Sequence, residues 1–358
     1  MYTQLEIKNF RCFKNFEMKL KPITLISGMN NTGKTSVLDS VFLFHNYAYP
    51  DVFLELLRSR GTRQGKGDTL AKNAWEPLFY NMDVEKPVEI RLNGQHLLRL
   101  AKNNEYALSN HLPGIFDGKI DFTSSNYALS CCYEKGDEHF DGDYLRCNEK
   151  LDNNLVLQGR NNAEFIKNEG ECQCFGPNSK LDDLTVAELF GKVETSMNKT
   201  DMDRLMRVLS ILDGCIEDIT TIAAYERVQL YFTGKQGVKL PIHIMGDGIR
   251  KLLYIALVLL TKPGCILLLD EVENGLHYSL HAKFWELISI MAMQEKCQII
   301  ATTHSYECIN GALEGVEAAN LHDSFSYTRL DRSADSIVPK TFTSDMLERA
   351  LDLDWEVR

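Results

Sequence analysis

Nothing in this chain is apolar for long enough to cross a membrane as a helix. The longest late apolar run, Leu252 to Leu260, is about half a span and stops at Lys262, Pro263 and Gly264. A secretory signal is also missing: the first residues, MYTQLEIKNFRCF, alternate charged with apolar side chains instead of placing a basic stretch before an apolar one. There is no basic excess either. With 39 Lys and Arg against 50 Asp and Glu the net charge is −11, which excludes wholesale coating of DNA and leaves only a local patch for nucleic acid. The ten cysteines form no recognisable pairing framework and stand mostly beside apolar residues, so they read as reduced thiols in a cytoplasmic protein. No internal repeat and no long heptad run is present, which excludes an extended coiled coil within these residues.

What is present describes a soluble globular chain, 44% hydrophobic and 25% charged, and its 358 residues suit one composite domain with an insertion, or two domains. Residues 3 to 9 and 16 to 26 read as strands, the second ending in Ile23, Leu25 and Ile26 just before Gly28. A helix is predicted from Gly33 to about Phe44, with Val37, Leu38, Val41 and Phe42 at helical spacing. The pattern weakens from about residue 50 to 180. PVEIRL, HLLRLA and NYALSCCY read as antiparallel strands, while GDEHFDGDYLRCNEKLDNNLVLQGRNN is polar and loop-rich. Between Leu181 and Ile219 the spacing predicts two or three amphipathic helices. The last third is regular again: a helix from about Gly248 to Leu260, strand CILLLD, a helix from about Ser279 to Met293, strand QIIATT, and a short tail ending in the amphipathic SDMLERALDL. Such alternation of helices with nearly continuous apolar strands predicts an α/β fold, a sheet covered on both faces. The expected division is a nucleotide-binding head from 1–50 and 220–358, an inserted antiparallel β lobe with loops at 51–180, and a helical lobe at 181–219.

Three short stretches carry chemistry. Gly28, Gly33, Lys34 and Thr35 complete G-x-x-x-x-G-K-T between an apolar strand and a helix, the setting a phosphate loop requires. There the amides of Asn30, Asn31, Thr32, Gly33 and Ser36 would face a phosphate chain, Lys34 would reach its terminal groups and Thr35 would bind magnesium. In CILLLDEVENGLH the buried run Ile266 to Leu269 ends at Asp270 and Glu271, where open parallel sheets bind ligands; Asp270 would hold the magnesium shell and Glu271 would activate the attacking water. In QIIATTHSYE, His304 follows another buried strand, placed to meet the terminal phosphate or that water. More than half the chain separates the phosphate loop from the acidic pair, so the insertion must be a folded lobe.

The order NFRCF, GMNNTGKT, GDGIRK, LLLDEVENGLH, ATTHS resembles an ABC-type P-loop ATPase of the SMC and RecF class, most of all the ATPase part of OLD (overcoming lysogenization defect) proteins and related stand-alone bacterial ATPases of the AAA_15 and AAA_21 kind. The resemblance covers about residues 1 to 45 and 180 to 310. It implies an ABC/SMC-like mixed sheet and a head-to-head homodimer enclosing two ATP molecules with Mg2+. It makes Gly246, Asp247 and Gly248 the signature turn that contacts the phosphates held by the other subunit's Lys34, although the usual serine before the glycine pair is absent. It makes Gly275 to Ser279 a loop that crosses to the partner and puts Arg11 near the nucleotide. Gln158 is either the magnesium-contacting glutamine of the class or an ordinary loop residue.

Relatives of this kind pass their ATP-driven change to an effector. In OLD proteins that effector is a TOPRIM nuclease domain, and the segment after His304 is too short and too poor in apolar strands to build one. The implied function is therefore a switch controlling a separately encoded effector, plausibly a TOPRIM-type nuclease, in defence against phage. A RecF-like DNA-repair clamp is the second reading and a transporter motor the third. Two clusters stay open. Cys131, Cys132, Cys147, Cys172 and Cys174 suit zinc by type but match no closed pair of C-x-x-C knuckles. Arg58, Arg60, Arg63 and Lys66 lie in a glycine-bearing basic run that is either a solvated loop or a nucleic-acid contact.

Overall fold

The computed structural model describes residues 1–49, 76–103, 128–146, 155–159, 171–176, 183–196, 199–212, 214–224, 227–235, 237–333, 336–353 and 357. A six-stranded sheet forms the centre. Its order is β16 (Ser336–Phe342), β15 (Phe325–Ser333), β3 (Ile23–Gly28), β14 (Gln298–Thr302), β13 (Ile266–Leu269) and β9 (Cys172–Phe175). All neighbours are parallel except the β15–β16 hairpin, so the sheet is mixed.

The period-2 alternation of strands decides what each face packs against. Ile23, Leu25, Leu267, Leu269, Ile299 and Ala301 enter one core, with α2 (Asp183–Thr195), α3 (Lys199–Leu212), α4 (Asp247–Thr261), α5 (His281–Gln294), α6 (Tyr306–Ala318) and α7 (Ser344–Asp352). Ile26, Ile266, Leu268, Ile300 and Leu330 enter the other. That second core is closed by α1 (Lys34–Asn46) and a seven-stranded antiparallel sheet, in the order β2 (Phe13–Lys19), β1 (Gln4–Phe10), β4 (Val88–Leu92), β5 (His96–Asn103), β6 (Ala128–Lys135), β7 (Glu138–Arg146) and β8 (Leu155–Gly159). Each fully buried aliphatic side chain of β13 and β14 stabilises the sheet by roughly 1.5–3 kcal/mol, which fixes the strand ends that carry the polar clusters.

Several expectations need correction. The amino-terminal segment makes three strands, not two, and β1 pairs with β4 of the supposed insertion, Leu5 opposite Leu92, so residues 4–19 belong to the antiparallel sheet. Conversely β9, placed by sequence in the insertion, joins the central sheet with Cys172 beside Ile266 and Cys174 beside Leu268. The stretch read as loop at 138–159 supplies β7 and β8, antiparallel to one another with β7 also paired to β6. A hairpin, β10 (Ile216–Ala224) with β11 (Arg227–Gly234), extended by β12 (Lys239–Pro241), follows α3 where the helical lobe was expected to end. The presumed tail is α6, β15, β16 and α7, and it completes the central sheet.

Candidate nucleotide site

β3 ends in the phosphate loop, and the loop is held from two sides. Gly28 adopts φ 139°, and a Cβ there would lie 2.5 Å from the Leu330 carbonyl of β15, so only glycine allows the strands to approach this closely. Thr32 is buried and its hydroxyl donates to the Met29 carbonyl at 2.9 Å, which closes the loop on itself. A cavity of about 520 Å³ opens above, lined by Cys12, Asn30, Asn31, Gly33, Lys34, Thr35, Ser36, His304 and Arg332. The sequence-predicted loop residues and His304 therefore meet around one space, in which backbone amides and the α1 N-terminus favour an anion.

Lys34 is 5% exposed, and its ammonium donates to the carbonyls of Gly28 at 2.6 Å and Met29 at 2.8 Å. Burial lowers its pKa to about 8, against the opposing pull of Asp270, Glu271 and Glu273. It is a cation held by weak neutral partners, ready to exchange them for phosphate oxygens.

Asp270 ends β13 and is joined to both neighbours: its Oδ1 accepts from Thr35 Oγ1 at 3.2 Å and from Thr302 Oγ1 at 2.6 Å. Thr302 in turn accepts the Glu271 amide at 2.9 Å, and the Val272 amide reaches the Thr302 carbonyl at 2.9 Å. These bonds hold Glu271 at φ 48°, a left-handed conformation that costs a non-glycine residue roughly 1–2 kcal/mol. Its carboxylate accepts from Asn274 at 2.7 Å. The His304 amide donates to Glu273 Oε1 at 2.7 Å, while Glu273 Oε2 is buried without a bonding partner. For Mg2+, a hard cation that keeps waters and takes one or two carboxylates with substrate phosphates, the adjoining Thr35 hydroxyl and Asp270 carboxylate are a fitting environment.

Gly246, Asp247 and Gly248 lie at the N-terminus of α4, outside the cavity. Asp247 has a side chain 92% exposed. A Cβ on Gly248 would stand 2.2 Å from the Gly275 carbonyl, so the signature turn packs directly on the GLHYS loop. Behind it Lys251, 5% exposed, donates to the carbonyls of Val272 at 2.9 Å, Asn274 at 3.2 Å and Glu271 at 3.3 Å. Sequence reading missed this lysine, although a charge on the buried face of GIRKLLYIAL was a usable signal. Thr302, Glu273 and Arg332 were missed too. Arg11 was expected near the nucleotide, but it pairs with Asp39 of α1 and stacks on Phe10, 5.4 Å from its centroid. The neighbouring Cys12 lines the cavity.

The other candidates separate. Among the described residues Cys131, Cys172 and Cys174 enter no group of metal-ligating atoms close enough to share an ion; Cys131 is buried on β6 while its neighbour Cys132 faces out. Cys132, Glu134 and His139 bring ligand atoms within 4.8 Å of one another on β6 and β7, but Glu134 and His139 are exposed and already face each other, with Arg99 opposite Cys132. Gln158 falls in β8, its backbone opposite Asp143. Cys147 and the basic run with Arg58, Arg60, Arg63 and Lys66 lie outside the described residues. Among the described residues no helix is long and apolar enough to cross a membrane.

Known proteins resemble the chain as a whole. Residues 1–170 match the family described as "AAA ATPase domain", and residues 133–310 match "AAA domain, putative AbiEii toxin, Type IV TA system". An "ATP/GTP phosphatase" of Helicobacter pylori is 23% identical over 97% of both chains. The chain is an ATPase that resembles SMC/RecF-like and OLD proteins. An "OLD nuclease" of Thermus scotoductus is 23% identical over 85% of the chain, which spans only 59% of that protein's length. A RecF protein of Acholeplasma laidlawii is 42% identical over 43 residues. Two Smc head domains, one bound to the C-winged helix domain of ScpA and one from Pyrococcus furiosus bound to the ScpA C-terminal domain, superpose with TM-scores of 0.50 at 13% and 11% identity, over 98% and 99% of this ATPase. They show the fold: a P-loop α/β head.

Proposed function

We propose that this ATPase is a dimerisation switch: two copies close face to face over two ATP molecules, and hydrolysis parts them. The observation that carries the reading is a separation within one subunit. The turn Gly246–Gly248 does not line the cavity that holds Lys34, which supports its delivery to that cavity by a second copy. Apolar side chains support the same closure. Met29 beside the phosphate loop is 77% exposed, Tyr278 in the GLHYS loop 65% and Ile244 before the signature turn 56%. Such side chains become buried when motif-bearing faces meet.

In this reading the amides of residues 30–36 hold the phosphates, Lys34 leaves its two carbonyls for the terminal ones, and Thr35 and Asp270 hold the magnesium ion. That ion would neutralise charge on the phosphate oxygens when bound. Glu271 accepts a proton from the attacking water as the new oxygen–phosphorus bond forms and the bridging bond to ADP breaks, while His304 fixes the terminal phosphate. The output acts on a separately encoded effector, a TOPRIM-type nuclease in defence against phage. The short stretch of strong identity with RecF favours a DNA-repair clamp as the second reading. Mass by light scattering, for wild type and Glu271→Gln with and without ATP and Mg2+, tests the switch. The expected result is a variant that stays dimeric with ATP trapped; a mass indifferent to both nucleotide and mutation sinks the reading. ATP-dependent binding of DNA by the purified chain alone would favour the clamp.

A further inference from the structure

The cavity contains a second cation that no motif announces. Arg332 lies near the end of β15, and the register fixes its place: Leu330 is opposite Gly28, so two residues further on Arg332 stands over the phosphate loop. Leu330 and Arg332 share the strand face turned toward α1, while Arg329 and Asp331 take the other face and pair together, with Lys340 joining Asp331. The Arg332 guanidinium donates to the Asn31 carbonyl at 3.2 Å and lines the cavity with Lys34. Among the described residues it makes no ion pair. Two cations, each resting on a neutral carbonyl, face one cavity built of loop amides. That arrangement suits a polyanion, and arginine's planar fork can take two oxygens of one phosphate.

We infer that Arg332 binds the terminal phosphate of the nucleotide held by its own subunit, exchanging the Asn31 carbonyl for that phosphate, and that it, not Arg11, is the arginine by which this ATPase distinguishes triphosphate from diphosphate. The inference rests on the nucleotide-site reading and adds to it a contact delivered by the carboxy-terminal hairpin. Asn31 lies on the loop arm between Gly28 and Lys34, the arm that approaches a terminal phosphate, so a residue bonded there contributes little to ADP.

The test compares equilibrium binding of ADP and of the non-hydrolysable β,γ-imido analogue of ATP to the full chain, as wild type, Arg332→Ala, Arg332→Lys and Lys34→Ala. A charge-assisted contact corresponds to roughly 10-fold or more in affinity. Arg332→Ala is therefore expected to weaken the triphosphate analogue by about that factor and ADP by less than about 3-fold, with Arg332→Lys between. A merely structural role would lower both affinities together or neither. Equal effects on the two nucleotides, or none, overturn the inference while leaving the ATPase reading intact. If wild type binds neither nucleotide, or Lys34→Ala binds both as wild type does, the site reading itself falls and takes this one with it.

Discussion

Lys34 and Lys251 stand on opposite sides of the same acidic strand end and are electrostatically near twins. Each is 5% exposed, each has its pKa lowered to about 8 chiefly by burial, and each donates only to backbone carbonyls. Their surroundings differ. Lys34 faces a cavity and rests on its own loop, whereas Lys251 is clamped to three carbonyls of residues 271–274, with Phe175 5.6 Å from its ammonium. A perturbed lysine is thus no mark of a ligand site by itself; the space in front of it decides. On the proposed reading one lysine exchanges partners for substrate, while the other ties α4 to the loop that carries Glu271.

Removing each lysine separates the two roles. Lys34→Ala is expected to lower ATP hydrolysis by about 100-fold or more, since a cation at the transferring phosphoryl group is lost, with a melting temperature close to wild type because Lys34 lines an open cavity from which water can reach the two carbonyls it leaves. Hydrolysis rate and thermal melting, measured on one preparation, check both halves. An active or unfolded Lys34→Ala would erase the contrast.

Lys251→Met is expected to do the reverse in stability. Three carbonyls lose their donor, and leaving buried polar groups unpaired costs about 2–4 kcal/mol in sum. Urea unfolding reads that loss. Nucleotide binding by a single subunit should change little, while ATP-dependent dimerisation weakens because the signature turn and the Gly275 loop are no longer held together. A variant as stable as wild type would show that the three bonds contribute nothing net.

How far the sequence disclosed this depends on the range over which each contact is specified. The phosphate loop and LLLDE were legible because strand, turn and helix lie within a few residues, and the chemistry is written in Gly28, Lys34, Thr35, Asp270 and Glu271. Arg332 was not, because its position follows from β15 pairing with β3 some three hundred residues earlier in the chain, and SFSYTRLDRS reads as loop until Phe325, Ser326, Tyr327 and Thr328 are seen to be buried. Lys251 was hidden differently: its helix was correctly placed, but an amphipathic pattern does not reveal that one cation on the inner face has carbonyl partners from another loop. The partner of Arg11 was hidden by the same limit, since its place in NFRCF gave no sign that Asp39 of α1 would hold its side chain.

A third buried base sharpens the comparison, with the smallest expected effect. His45 on α1 is 6% exposed among Tyr2, Phe44 and His96, and burial, reinforced by His96, lowers its pKa from 6.5 to about 4. Unlike the lysines it must stay neutral to remain folded in place. Below pH 6.5 the unfolded chain takes up a proton at this ring that the folded chain refuses, so the unfolded state binds more protons and stability falls as pH drops from 6.5 toward 4. At pH 5.5 the contribution is about 1 kcal/mol. In His45→Leu the ring is gone, so the difference in unfolding free energy between variant and wild type should shift in the variant's favour by that amount between pH 7 and 5.5. Equal acid sensitivity in the two proteins would mean that the histidine accepts its proton inside the core, and that burial there is looser than at either lysine.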